Sequence, residues 1–163
     1  MKEKHSVRIY FAASLFTQVE RKWNRLLADT LKRLMPGLEI VMPQDFRTAG
    51  KYNDSRHYGA LFRMCVDGID SSDAVLSLID GAEVDSGVAW EMGYAYARGK
   101  PVIGVRTDFR PGAEHGVNIM LSRSCRYLIR EFSFQEKVEI LAKGVARRLR
   151  RLKSRATSRY REI

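Results

Sequence analysis

Two cysteines, four prolines and three histidines in 163 residues leave little material for several kinds of protein. Cys65 and Cys125 form no spaced framework, so no disulfide scaffold is expected. His5, His57 and His115 stand in no ligand spacing with them, and no metal site is expected either. No apolar run approaches the roughly 20 residues that a membrane span needs. The opening "MKEKHSVRIYFAA" passes from charge straight into a short β-like run, without the long apolar core and cleavage site of a secretory signal, so a cytoplasmic location is the expectation. There is no linker, repeat or low-complexity block, which argues for one domain over residues 1–153 followed by a basic tail over residues 154–163. The segment "AASLFT" lacks the glycines of a dinucleotide fingerprint, and no Gly-rich run leads into Lys-Ser or Lys-Thr. Nicotinamide dehydrogenases and phosphate-loop NTPases are thereby excluded, and no cofactor is expected. No serine nucleophile elbow is present, and no histidine lies near a plausible nucleophile.

What is present begins with charge. The net charge is +10, but residues 143–163 hold nine basic side chains against Glu162, which leaves a body close to neutral. A solvated basic helix face is the simpler reading of that segment, and no dedicated nucleic-acid site is expected. A hydrophobic content of 45% is enough for a real core.

Strand-like and helix-like segments alternate. "VRIYFA" (7–12) is β-branched and aromatic, and the capping box from Thr17 to Glu20 opens a helix to about Met35. "LEIVMP" reads as the second strand, and a polar stretch from Gln44 to Ser55 leads to a helix bearing Leu61, Met64, Cys65 and Ile69. "AVLSLID" (74–80) is a short buried strand closed by the Asp80-Gly81 turn, with a helix after it. "PVIGVR" (101–106), a glycine-containing loop over 112–116, and "CRYLIRE" (125–131) follow. "SFQE" (133–136) is a second capping box, before apolar residues at 134, 138, 141, 145, 149 and 152. Strands separated by such helices form right-handed crossovers in a parallel sheet. The expected fold is therefore α/β: one doubly wound, flavodoxin-like five-stranded parallel sheet in the order 2-1-3-4-5, helices on both faces, with ligands at the strands' carboxyl ends.

At the carboxyl end of the third strand stand four carboxylates: Asp80, Glu83, Asp85 and Glu91. Asp85 occupies a helix N-cap position, which serves as cap or as functional group about equally well. Glu91 shares a helix face with Val88, Met92 and Ala95, an apolar setting that costs free energy for a carboxylate unless it is hydrogen-bonded, and that favours a chemical role. The small residues Ala89, Gly93 and Ala97, at spacing four, permit a close approach by a neighbour, while Trp90 and Tyr94 fit a subunit interface or core packing equally.

These motifs together resemble the nucleoside 2-deoxyribosyltransferase family. The likeness runs from "IYFAASLF" through "SDAVLSLIDGAEVDSGVAWEMGYAYARGKPVIG" to "TDFR" and "VNIML", and its specific part is Asp85-Ser-Gly-Val-Ala-Trp-Glu91-Met-Gly-Tyr-Ala followed by Gly-Lys-Pro. The resemblance implies double-displacement N-glycosyl transfer with Glu91 as nucleophile, Asp85 on the sugar, and Tyr10 orienting the nucleophile by a hydrogen bond. It places Asn118 and Met120 in a segment that reaches a neighbouring subunit's site, and so implies a homo-oligomer (dimer, tetramer or hexamer) with shared active sites. Gly87, Ser14, Phe16 and Asp67 complete the expected substrate contacts. The implied partners are a nucleoside or nucleotide and a free nucleobase. One departure stands out: the position aligned with the family's proton-shuttling aspartate is Cys65, and Asp67 lies about 200° further round the helix. The alternative reading within the same fold is an N-glycoside hydrolase of nucleosides or nucleoside 5′-monophosphates, with Ser14 and Thr17 near an anion. A non-catalytic binding domain using the basic tail is the third.

Overall fold

The computed structural model describes residues 6–48, 55–110, 116–132 and 137–159. Five strands, β1 (Arg8–Ala12), β2 (Glu39–Val41), β3 (Ala74–Leu78), β4 (Val102–Arg106) and β5 (Cys125–Arg130), form one parallel sheet in the order β2-β1-β3-β4-β5, as the alternating pattern predicts. The helices are α1 (Gln18–Leu34), α2 (Ser55–Asp70), α3 (Ser86–Ala97), α4 (Ile119–Ser124) and α5 (Val138–Arg159). The central strands are covered on both sides, so they read as continuous apolar runs. Alternate residues of β1 separate the two layers. Ile9 and Phe11 pack with Leu27, Leu31, Leu141 and Leu149 of α1 and α5. Tyr10 and Ala12 face the opposite way, into a cluster with Ile69 of α2 and Val88, Met92 and Ala95 of α3.

Helix α1 starts where its capping box predicts: Thr17 Oγ1 accepts from the Glu20 amide at 3.2 Å while the Thr17 amide donates to Glu20 Oε2 at 2.7 Å. The last helix keeps its predicted face, with Val138, Leu141, Val145 and Leu149 buried and Leu152 half-buried. The box at 133–136 and the apolar position 134 lie outside the described residues. Helical backbone runs through Arg159, so the boundary drawn after residue 153 falls inside α5.

Three local differences have simple causes. The second strand spans only residues 39–41, because Pro43 cannot donate to a ladder and instead starts one 3₁₀ turn over Pro43–Asp45. The third strand stops at Leu78, since the Asp80 carboxylate accepts from the Thr107 amide (2.5 Å), the Thr107 hydroxyl (2.6 Å) and the Asp108 amide (2.9 Å), lacing the β3 and β4 exits together. Gly81 completes that exit at φ +102°, a conformation in which a side chain is strained. Helix α4 was not predicted; Asn118 caps it, its Oδ1 accepting from the Met120 amide at 2.9 Å, and it runs directly into β5.

Among the described residues, no helix is long and apolar enough to cross a membrane.

Candidate active site

Helix α3 enters the sheet's carboxyl edge on a cap. Asp85 Oδ1 accepts from the Val88 amide at 3.1 Å, so the cap reading of Asp85 holds. Gly87 sits against it: a Cβ there would stand 3.0 Å from Asp85 Oδ1. At its far end the helix is tied to α2 through Asp70, which accepts from the Tyr94 hydroxyl and from Arg98 Nε, each at 3.0 Å. Val88, Met92 and Ala95 are then buried, and Glu91 is half-buried beside them.

Across from Glu91 stands Tyr10, at 0% exposure in the middle of β1. Its hydroxyl donates to Glu91 Oε1 at 2.5 Å, the short separation of a charge-assisted O–H···O⁻ bond. The two residues are 81 apart in sequence, and the pairing of β1 with β3, the strand that leads into α3, brings them together. Burial pushes the Glu91 carboxyl up to about 7, and the nearby Asp85 charge pushes the same way, against the opposing hydrogen bond from Tyr10. Burial, with the Glu91 charge next, raises the Tyr10 phenol far above its ordinary value, so it stays a donor. Cys65 of α2 packs, half-buried, against the cluster that holds Tyr10, and burial pushes its thiol up. Among the described residues, no cluster of histidine, cysteine and carboxylate side chains could hold a metal ion.

Tyr10, Asp85, Gly87 and Glu91 thus come together at one corner. Of the other sequence-predicted residues, Ser14 is engaged with α1, its hydroxyl donating to Glu20 Oε1 at 2.7 Å. Phe16 is 71% exposed. Met120 and Asn118 are exposed on α4, which packs beside α3. Asp67 is exposed on α2, and its charge is felt at Tyr94. Glu83 is exposed, and Asp80 serves the loop lacing. Helix α3's outer side carries Gly93, with nothing within 4 Å of a Cβ, and Trp90, which stacks on Tyr94 (5.3 Å, 5°) and meets Phe62 of α2 at 5.4 Å.

Comparison with known proteins adds to this geometry. The sequence matches the family described as nucleoside 2-deoxyribosyltransferase over residues 9–121, more than half of the chain and inclusive of Tyr10, Asp85 and Glu91. The chain belongs to the nucleoside 2-deoxyribosyltransferase family. A conserved protein from Enterococcus faecalis V583 has a similar structure, at 28% identity over 87% of this chain and 98% of that one, TM-score 0.61. The 2-deoxyribosyltransferase of the psychrotolerant bacterium Bacillus psychrosaccharolyticus superposes with TM-score 0.66 at 22% identity, over 83% of this chain and 90% of that chain. At that identity the second likeness speaks for the fold. A β-glucosidase from Listeria innocua shares the fold over 21% of its own length and 86% of this chain, at 13% identity and TM-score 0.56. No curated protein matches in sequence.

Sequence reasoning about the nucleoside 2-deoxyribosyltransferase site missed how closely α2 packs around Tyr10. Cys65 reads as a small core residue, and it packs half-buried against the cluster that holds Tyr10. Gly68, one turn later, is buried against the Tyr10 ring, where a Cβ would meet Cδ2 and Cε2 at 3.0 Å. A glycine inside a helix, three residues after a cysteine, is the signal that could have marked this close approach.

Proposed function

We propose that this family member transfers a 2-deoxyribosyl group between nucleobases, with Glu91 as the nucleophile. The observation that carries the reading is the part-buried hydrogen bond from Tyr10 to Glu91, which fixes one carboxylate oxygen of an otherwise apolar helix face against the β1 phenol. A Glu91 oxygen attacks C1′ of a 2′-deoxyribonucleoside; the C1′–N bond breaks, its electron pair leaves with the base, and the base takes up a proton. The sugar is then held as an ester of Glu91. A nitrogen of a second base attacks C1′, the ester C–O bond breaks, the carboxylate returns and the incoming base loses a proton. Tyr10 holds the carboxylate in place and stabilises its charge when it leaves. Asp85, fixed by its capping bond, presents a second carboxylate to the sugar from the start of α3.

A homo-oligomer belongs to the same proposal. Met120 and Ile119 are 75% and 50% exposed at the tip of α4, and Trp90 and Phe62 form an exposed aromatic patch, all apolar surface suited to a second subunit. Sedimentation velocity that returned only the 18.7 kDa monomer would count against that part.

The reaction is tested by incubating the protein and its Glu91→Ala variant with thymidine or deoxyinosine, with and without adenine, and separating the products. Deoxyadenosine formed by the wild type alone supports transfer through Glu91. Free base without deoxyadenosine would replace transfer by hydrolysis, and no turnover of nucleosides or nucleotides would refute both.

A further inference from the structure

Asp85 and Asn118 stand at the ends of the two loops that leave β3 and β4, and one buried cation joins those loops. Arg106, the last residue of β4, is only 2% exposed. It follows Val102 and Gly104 on the sheet face that also carries Tyr10, since residues two apart on a strand share a face. Its Nη1 donates to the Ile79 carbonyl at 2.8 Å and to the Gly81 carbonyl at 3.1 Å. Asp108 grips the same glycine: its Oδ2 accepts from the Gly81 amide at 3.2 Å and stands 3.7 Å from Arg106 Nη2. Gly81 is thus held by its amide and its carbonyl, a short step before the Asp85 cap. The rest of the guanidinium meets the second loop. Gly116, at φ +84°, lies so close that a Cβ there would stand 3.2 Å from Arg106 Nε and 3.5 Å from Nη2. Val117 is then buried in the Tyr10 cluster, and Asn118 caps α4.

We propose that Arg106 is a positioning residue for substrate binding: its guanidinium holds the loop that carries Asp85 and the loop that carries Asn118 in fixed places at the carboxyl edge of the sheet. The role rests on the reading of these two residues as sugar contacts, Asp85 in its own subunit's site and Asn118 in a neighbour's. Packing alone does not call for an arginine here. Burying a cation costs free energy, and Nε, also buried, has no acceptor among the described residues, so an aliphatic side chain would fill the space at less cost. An aliphatic side chain cannot bind two carbonyls of one loop while setting a flat, rigid group against the other, and the planar guanidinium does both.

The test reads the loops directly, so that it survives the absence of any turnover. Arg106→Met keeps an unbranched apolar stem and removes the donors. Hydrogen exchange followed by mass spectrometry should show the amides of residues 81–88 and 116–122 exchanging about tenfold faster or more, the loss expected of one or two hydrogen bonds, with α1 and α5 unchanged. Where transfer is measured, KM for thymidine should rise about tenfold while kcat stays within about threefold, because binding contacts are displaced and the Tyr10–Glu91 pair is not. An arginine that served stability alone would lower the amount of active protein, and with it the apparent kcat, and leave KM where it was. Arg106→Lys, a point charge in place of the fork, should fall between wild type and Arg106→Met in both measurements, and it takes the place of the methionine variant if that one fails to fold. Unchanged exchange in either segment, exchange raised equally throughout the chain, or a loss confined to kcat would overturn the proposal. Faster exchange in both segments, in a protein whose wild type turns over no nucleoside, would instead leave the Arg106 contacts standing and refute the transferase reading.

Discussion

Replacing Glu91 by glutamine should make the protein more stable while it removes transfer. The Glu91 carboxyl titrates near 7 in the folded chain against an ordinary 4.5, mainly because burial penalises its charge. A difference of about 2.5 units at about 1.4 kcal/mol per unit gives a ceiling of about 3 kcal/mol for holding the ionised group in place. Since Glu91 is only half-buried, solvent lowers that to about 1–2 kcal/mol. The sign follows from proton linkage. Below 4.5 the group is neutral in both folded and unfolded chains, and no penalty exists. Between 4.5 and 7 the folded chain keeps a proton that the unfolded chain loses, so stability falls as pH rises, and above 7 the whole penalty is present. Glutamine carries no charge, fills the same volume and still accepts from Tyr10. Thermal unfolding followed by circular dichroism at pH 8 should therefore show Glu91→Gln about 2–8 °C above wild type, the range expected of 1–2 kcal/mol in a chain of this size. The gap should close as the pH is lowered toward 4.5. A variant no more stable than wild type at pH 8, or a gain that is the same at pH 5 and pH 8, would refute the assignment of Glu91 as a carboxylate held at a cost.

Other expectations follow from the same contacts. Transfer needs the ionised carboxylate, so kcat/KM should rise with pH through about 7; a profile flat from pH 5 to 8 would contradict this. Tyr10→Phe preserves the buried ring but removes the 2.5 Å bond, and should move that limb to higher pH and lower kcat about 10- to 100-fold, measured by the same base-exchange assay. Gly68→Ala sets a methyl 3.0 Å from the Tyr10 ring and 3.1 Å from Val41 Cγ1, so chemical denaturation should show a loss of about 1–3 kcal/mol. Truncation after Lys153 removes Arg155, Arg159 and Arg161; turnover should be unchanged, and any weak, salt-sensitive binding to a DNA oligonucleotide in fluorescence anisotropy should fall.

Much of the architecture was legible because it is written in local signals. The alternation of short apolar strands with amphipathic helices of crossover length allows few arrangements other than a parallel doubly wound sheet. The Thr17 capping box fixes the start of α1 through bonds made within four residues. Helix α4 was missed because six residues give less than two turns of periodicity, and its cap, Asn118, reads equally well as a loop residue. The end of β3 was overrun because the bonds that stop it come from Thr107 and Asp108, 27 and 28 residues away.

The site divides along the same line. Glu91 was visible because a carboxylate on an apolar helical face breaks the local pattern, and Asp85 because a cap is a local device. Tyr10 could be tied to them only through the resemblance to a family, since nothing within its own strand distinguishes a phenol that serves a carboxylate from one that fills a core. That Asp67 is exposed while Cys65 packs toward the Tyr10 cluster depends on how far α2 is rotated and how closely it sits on the sheet, where Gly68 lies against the Tyr10 ring. The sequence by itself determined the order of elements, the layers and the odd carboxylate, because those rest on periodicity and on bonds between near neighbours. Only the tertiary structure decided what surrounds that carboxylate, because its donor Tyr10 and its burial come from strands and helices that meet only after the sheet is assembled.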